Sequence, residues 1–154
     1  MAQVSFTIDG EFSMKRICES VDMQFVGDIK RSDLSIIVAV KKLITDEERE
    51  QLLANAAARA RGQAIDPLPV VKLFTPDAHA TWLLTELDPI DGDTAYGLCD
   101  LGLCMPALGT VRLSDLETIR GPRNLPVLRD LHFNPRFTLS EYTRRAQADG
   151  SVND

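Results

Sequence analysis

The chain has 154 residues, a formal net charge of −6, 44% hydrophobic residues and 26% charged residues. This length supports one domain with a sizeable core, and the composition excludes a disordered or fibrous protein. Its apolar runs are too short to span a bilayer, and the N-terminus lacks the basic start and apolar stretch of a signal peptide. The odd number of cysteines fits reduced thiols, so we expect a cytoplasmic protein.

The first forty residues give three predictions. Residues 4–8 (VSFTI) predict a strand, and residues 12–21 (FSMKRICESV) predict a short amphipathic helix. Residues 34–40 (LSIIVAV) form an apolar run that suits either a buried strand or a helix.

Three segments begin with a hydroxyl three residues before a glutamate, which is the pattern of a helix capping box. They start at Thr45, Ser114 and Thr138. The first helix should end at Gly62, because glycine supplies the left-handed residue that follows many helices. The predicted helices cover about 46–61, a short segment from 114 to 121, and about 139–148.

Between the first two helices the hydrophobic period changes from 3.6 to 2, which indicates strands. Short connections rich in Pro, Gly and Asp separate them, so successive strands should pair antiparallel as a meander. The predicted strands are 70–74, 80–87, 94–101, 108–113 and 126–133.

These elements predict an α+β fold, in which an antiparallel meander of about five strands carries three helices packed on one face. Residues 41–150 form a single domain in this interpretation, and residues 151–154 form a frayed tail. Residues 1–40 are an N-terminal extension, either an addition that binds a partner or an integral part of the same fold.

Charge is distributed unevenly along the sequence. No Lys or Arg lies between Leu73 and Val111, whereas the following stretch to Arg145 has seven arginines against four acids. We favour mutual neutralisation of the two segments, because charge runs are usually solvated surface. The alternatives are an acidic face for a basic protein partner, or an arginine face for nucleic acid. The acidic set is Asp77, Glu86, Asp88, Asp91 and Asp93, and the basic set is Arg112, Arg120, Arg123 and Arg129.

Residues 88–93 (DPIDGD) offer carboxylates that suit Ca²⁺ or Mg²⁺, but Pro89 and Gly92 are also what a tight turn requires, and we favour the turn. Cys99 and Cys104 have a spacing seen in zinc sites, without the second pair of soft ligands. The phosphate-binding, dinucleotide-binding and hydrolase signature motifs are absent. We therefore predict no metal and no cofactor.

Arg129, Asp130 and His132 lie within four positions and suggest a site. On a regular strand Arg129 would face away from the other two, whereas Asp130 and His132 would share a face, so the carboxylate could orient the imidazole. The favoured interpretation is structural, with Arg129 paired to the acidic segment. Asp130 and His132 remain the catalytic candidates.

The segments KLFTPDAHATWLLTEL, YGLCDLG and RGPRNLPVLRDLHF resemble the bacterial family known as domain of unknown function 2958. The resemblance covers about residues 43–150 and does not extend to residues 1–40. Members of the family are common on plasmids, integrative elements and phages, often near anti-restriction or partition genes, and no activity is assigned to them.

The resemblance implies a small accessory protein of a mobile element that acts by protein–protein binding. Inhibition of a host defence system, of the anti-CRISPR or anti-restriction type, is the activity that this setting suggests, with the acidic set as the contact. Two alternatives stay open. One is an enzyme or nucleic-acid-processing factor that uses Asp130 and His132, and the other is a nucleic-acid binder that uses the basic set.

Overall fold

The structure is a computed structural model that describes residues 3–7, 23–25, 35–40 and 43–153. The chain divides into two compact units, residues 1–42 and residues 43–154. No helix in the described part of the chain is both long enough and apolar enough to span a membrane.

The first unit contains a three-stranded antiparallel sheet made of β1 (Gln3–Thr7), β2 (Met23–Phe25) and β3 (Ser35–Val40). The long strand β3 lies in the centre and pairs with both neighbours. The strand predicted over 4–8 is confirmed, and the apolar run over 34–40 forms a strand rather than a helix. The helix predicted over 12–21 lies outside the described residues.

The second unit consists of five strands and three helices. In chain order these are α1 (Asp46–Ala60), β4 (Val71–Phe74), β5 (Thr81–Leu87), β6 (Thr94–Asp100), β7 (Ala107–Arg112), α2 (Leu113–Thr118), β8 (Leu128–Arg129) and α3 (Leu139–Asp149).

The five strands form one antiparallel sheet with the order β7-β6-β5-β4-β8. Strands β4 to β7 are a meander, and β8 returns to pair with β4 at the far edge. This confirms the predicted α+β fold with a five-stranded antiparallel sheet and three helices.

The helices cover both faces of the sheet, which corrects the expectation that all three pack on one face. Trp82 and Leu84 of β5 pack in a core with Leu52 of α1 and Leu116 of α2. Leu83, which points the other way, packs with Tyr142 of α3. Six consecutive residues of β5 are buried, as expected for a strand that is covered on both faces.

Thr45 forms the predicted capping box at the start of α1. The Thr45 hydroxyl accepts the backbone N–H of Glu48 at 3.1 Å, and the Glu48 carboxylate accepts the N–H of Thr45 at 2.7 Å. The helix ends before Gly62, which has a φ of +81°, as predicted.

The other two capping boxes are wrong, because aspartates distant in sequence bind these helix N-termini instead. At α2 the carboxylate of Asp93 accepts both the N–H and the hydroxyl of Ser114. At α3 the carboxylate of Asp66 accepts the N–H and the hydroxyl of Ser140, and the Thr138 hydroxyl accepts no backbone N–H of the helix.

The fifth strand is much shorter than predicted, because β8 contains only Leu128 and Arg129 instead of residues 126–133. Pro126 has no N–H to donate to a ladder. Beyond β8, the carboxylate of Asp130 accepts the N–H of His132 at 2.9 Å, which turns the chain away from the sheet.

Candidate functional site

Three members of the acidic set hold together the turn between β5 and β6. Asp88 accepts the N–H of Ile90 at 2.8 Å, and Asp91 accepts the hydroxyl and the N–H of Thr94 at 2.6 and 2.9 Å. The hydrogen bond from the Thr94 hydroxyl, followed by the backbone bonds, lowers the pKa of Asp91 to about 2. The predicted turn over residues 88–93 is therefore confirmed.

Asp93 links this turn to α2 and β7. Besides the two bonds from Ser114, its carboxylate accepts the Nε–H of Arg112 at 3.1 Å. These contacts, led by the Ser114 hydroxyl, lower the pKa of Asp93. Arg112, from the basic set, is therefore paired with the acidic segment as the neutralisation hypothesis expects.

Glu86 and Asp77, the remaining two residues of the acidic set, lie near opposite ends of β5. Glu86 is buried at 8% exposure, and Arg59 of α1 lies 2.6 Å from its carboxylate. Asp77, in the turn between β4 and β5, accepts the N–H of Arg123 at 2.7 Å. A Cβ atom on Gly121 would overlap the Asp77 carboxylate, so this turn packs tightly on the segment after α2.

Asp130 and His132 do not form the predicted orienting pair. Asp130 binds the backbone N–H of His132 and lies 3.5 Å from the Lys72 ammonium of β4. His132 is exposed on the turn after β8. The strand alternation on which the pair depended is absent, because the strand ends at Arg129.

Arg129 contacts Glu48 of α1, which lies outside the acidic segment of the sequence. Its guanidinium lies 3.4 Å from the Glu48 carboxylate, and its side chain is only 10% exposed.

The basic set does not gather at one place. Arg112 is on β7 and Arg129 on β8, at opposite edges of the sheet. Arg120 donates to the carbonyls of Glu117 and Ile119 at the end of α2, at 2.9 and 2.8 Å.

Across the described residues, no group of three or more His, Cys, Asp or Glu side chains is placed to hold a metal ion. Cys99 is half-buried on β6, and this burial raises the pKa of its thiol. Cys104 is exposed in the following loop.

Sequence reasoning missed the connection between β6 and β7, which exposes large apolar side chains. In this connection Leu101, Leu103 and Met105 are 59, 71 and 81% exposed, and Leu108, near the start of β7, is 43% exposed. We call residues 101–106 the apolar loop. Its signal in the sequence is the absence of charged residues from 101 to 111, in a chain of which 26% is charged.

The apolar loop is fixed at several points. Asp100, only 3% exposed, accepts the N–H of Gly102 and the N–H of Val152, both at 2.9 Å. Pro106 is buried, and its carbonyl accepts from Gln147 of α3 at 3.5 Å. The loop therefore holds its apolar side chains outward on an anchored backbone.

The described residues match a family model whose description is "Protein of unknown function (DUF2958)", over residues 43–153. The chain belongs to this family. The match begins at Leu43, where the second compact unit begins, so the DUF2958 domain comprises the five-stranded sheet, the three helices and the apolar loop. No curated protein and no solved structure matches the chain.

Proposed function

We propose that this DUF2958 protein is a non-catalytic accessory protein of a bacterial mobile element, which acts by binding another protein through the apolar loop. The observation that supports this most is the exposure of Leu103 and Met105, at 71 and 81%, on an anchored segment. Apolar side chains grouped on a surface are a common mark of protein interaction sites. The unbranched, flexible side chain of methionine also adapts well to the shape of a partner.

Anchoring supports binding because it lowers the entropy lost when the complex forms. Asp100 fixes the start of the loop, and Pro106 with Gln147 fixes its end. The loop needs little further ordering before a partner covers it.

The acidic turn over residues 88–93 is proposed to have a secondary, electrostatic part. Asp91 stays ionised throughout the physiological pH range because its pKa is about 2. The oxygens of Asp91 already accept hydrogen bonds within the turn. Asp91 would therefore act on a partner through its long-range electric field rather than through new direct contacts. Such a field speeds the approach of a basic partner, such as the nucleic-acid channel of a host defence complex.

The proposal is tested in a bacterium that carries a CRISPR or restriction system, by measuring how well phage or plasmid DNA becomes established. The wild-type protein should raise establishment. The double variant Leu103→Asp/Met105→Asp should lose this effect, because it places two charges on the contact surface. Ile90→Asp is the matched control, because Ile90 is 93% exposed but lies on the turn between β5 and β6.

Equal protection by all three proteins would contradict the loop as the contact. No protection by the wild type against any of the defence systems tested would contradict the anti-defence activity. Protein capture would then still test binding by itself.

The two alternatives draw less support from the geometry. An enzyme that uses Asp130 and His132 needs the imidazole beside the carboxylate, whereas Asp130 binds backbone N–H and lies near Lys72. A nucleic-acid binder needs convergent cations, whereas Arg112 and Arg129 lie at opposite edges of the sheet and both contact carboxylates.

A further inference from the structure

Among the strands that the structure describes, β7 has a hydrogen-bonded neighbour on one side only, because it is the last strand of the five-stranded sheet. All six of its residues pair with β6 in continuous register, without a bulge. It contains no lysine and no proline, which are the residues that commonly protect an edge strand from pairing. Its one charge, on Arg112, is paired with Asp93.

One hydrogen bond identifies which backbone groups of β7 face away from β6. The N–H of Leu113 donates to the carbonyl of Asp93 at 2.9 Å, and hydrogen-bonded pairs alternate along an antiparallel ladder. Residues 107, 109 and 111 therefore bond to β6. Leu108 and Thr110 direct their N–H and C=O groups to the outer edge, whereas Arg112 offers only its N–H there, because its C=O is the N-cap carbonyl of α2 and accepts the first hydrogen bond of that helix.

The opposite edge of the sheet is unsuited to pairing. There β8 has two residues, and it carries Arg129 in its ion pair with Glu48. The β7 edge and the adjoining apolar loop instead form an uncharged run from residue 101 to 111. For a chain with a net charge of −6, an uncharged edge is where two copies can approach with the least like-charge repulsion.

We infer that β7 pairs with β7 of a second copy, antiparallel about a two-fold axis, and joins two five-stranded sheets into one. With the axis at Thr110, that residue faces Thr110 of the second copy, and Leu108 faces Arg112 of the second copy. The Thr110 pair exchanges two backbone hydrogen bonds, and each pair of Leu108 with Arg112 makes one, from the Arg112 N–H to the Leu108 carbonyl. The contacts are favourable, because threonines pair well across strands and the Arg112 stem covers Leu108.

This dimer keeps the two apolar loops apart. Each loop enters β7 at its N-terminal end, so antiparallel pairing puts the loops at opposite ends of a strand pair about 20 Å long. Neither loop takes part in the strand pairing, which begins at Leu108. The dimer is therefore tested separately from the proposed partner binding, and it would present two loops to a partner.

Sedimentation of the full chain tests the inference. We expect a species of twice the 17.0 kDa chain mass at micromolar concentration. Thr110→Pro removes the outward N–H on the axis without removing a bond to β6, and it should give a monomer. Gly109→Ala, whose N–H faces β6 and whose Cβ would meet open space, should remain a dimer.

Amide exchange provides a second measurement in case Thr110→Pro does not fold. In the wild type, the N–H groups of Thr110 and Arg112 should be protected at high concentration and exchange faster on dilution. A full chain that is monomeric at all concentrations would overturn the inference. So would a dimer that survives Thr110→Pro, or one in which these two amides exchange freely.

Discussion

Asp66, Asp91 and Asp93 each use both carboxylate oxygens to accept hydrogen bonds from a backbone N–H and a side chain. Asp66 and Asp93 act across 74 and 21 positions of sequence, at the starts of α3 and α2. Much of the acidity of the chain therefore stabilises helix ends and turns. The sequence shows a plausible hydroxyl at each helix start, but it cannot show that a distant carboxylate reaches the same N–H first.

Replacing Asp66 should show this capping directly. Asp66→Ala removes the acceptor for the N–H and hydroxyl of Ser140, and the loss of a helix cap costs about 1 kcal/mol. We expect a Tm lower by several degrees, measured by circular dichroism. Thr138→Ala is the control and should change the Tm less, because the Thr138 hydroxyl accepts no backbone N–H of the helix and meets the Ser140 hydroxyl only at 3.4 Å. Equal losses of Tm in the two variants would support the local capping box that the sequence predicted at Thr138.

Stability should fall on acidification, partly through Asp91. Its pKa is 3.8 when unperturbed and about 2 in the folded protein, so its contribution is complete above about pH 4 and is lost as the pH falls toward 2. Asp91→Asn should therefore be less stable than the wild type at neutral pH, and the difference should shrink between pH 4 and pH 2. Denaturant unfolding at several pH values measures it. A constant difference would show that the charge of Asp91 is not responsible.

At the scale of elements, hydrophobic period and turn residues predicted α1, α3 and the four strands of the meander. The packing of α3 on the second face was missed, although the apolar residues on both faces of β5 (TWLLTEL) are its signal. Strand β8 was overestimated, because Leu131 and Phe133 continue an alternating pattern that the Asp130 turn interrupts. A pattern of period 2 records which residues are apolar, but not where a side chain bends the backbone.

Two glycines that face each other across β6 and β7 should respond differently to alanine. A Cβ on Gly97 would overlap the Leu83 carbonyl, whereas a Cβ on Gly109 would have nothing within 4 Å. We expect Gly97→Ala to lower the free energy of unfolding by about 1–3 kcal/mol, in the range of overpacked core sites. Gly109→Ala should change it by less than about 0.5 kcal/mol, as surface substitutions do. Similar losses in urea denaturation would contradict the packing between β5 and β6.

For the whole molecule, the candidate functional surface differs from the one that charge suggested. The acidic residues that were predicted to bind a partner instead contact Ser114, Thr94 and Arg59 within the fold. His132, which was a catalytic candidate, lies on a turn. Local sequence composition could have identified the apolar loop through its missing charges. Its exposure could not be predicted, because Leu101 and Met105 would equally suit a buried strand.

The most direct test of the central claim is the salt dependence of partner capture by the full chain. Proteins retained from the host should stay bound between about 0.1 and 1 M salt, because apolar contacts persist where charge contacts are screened. Leu103→Asp/Met105→Asp should lose them at every salt concentration, and Ile90→Asp should keep them. Loss of the bound proteins at high salt, with normal binding by the double variant, would contradict the apolar loop as the binding surface. It would instead support binding through the acidic turn.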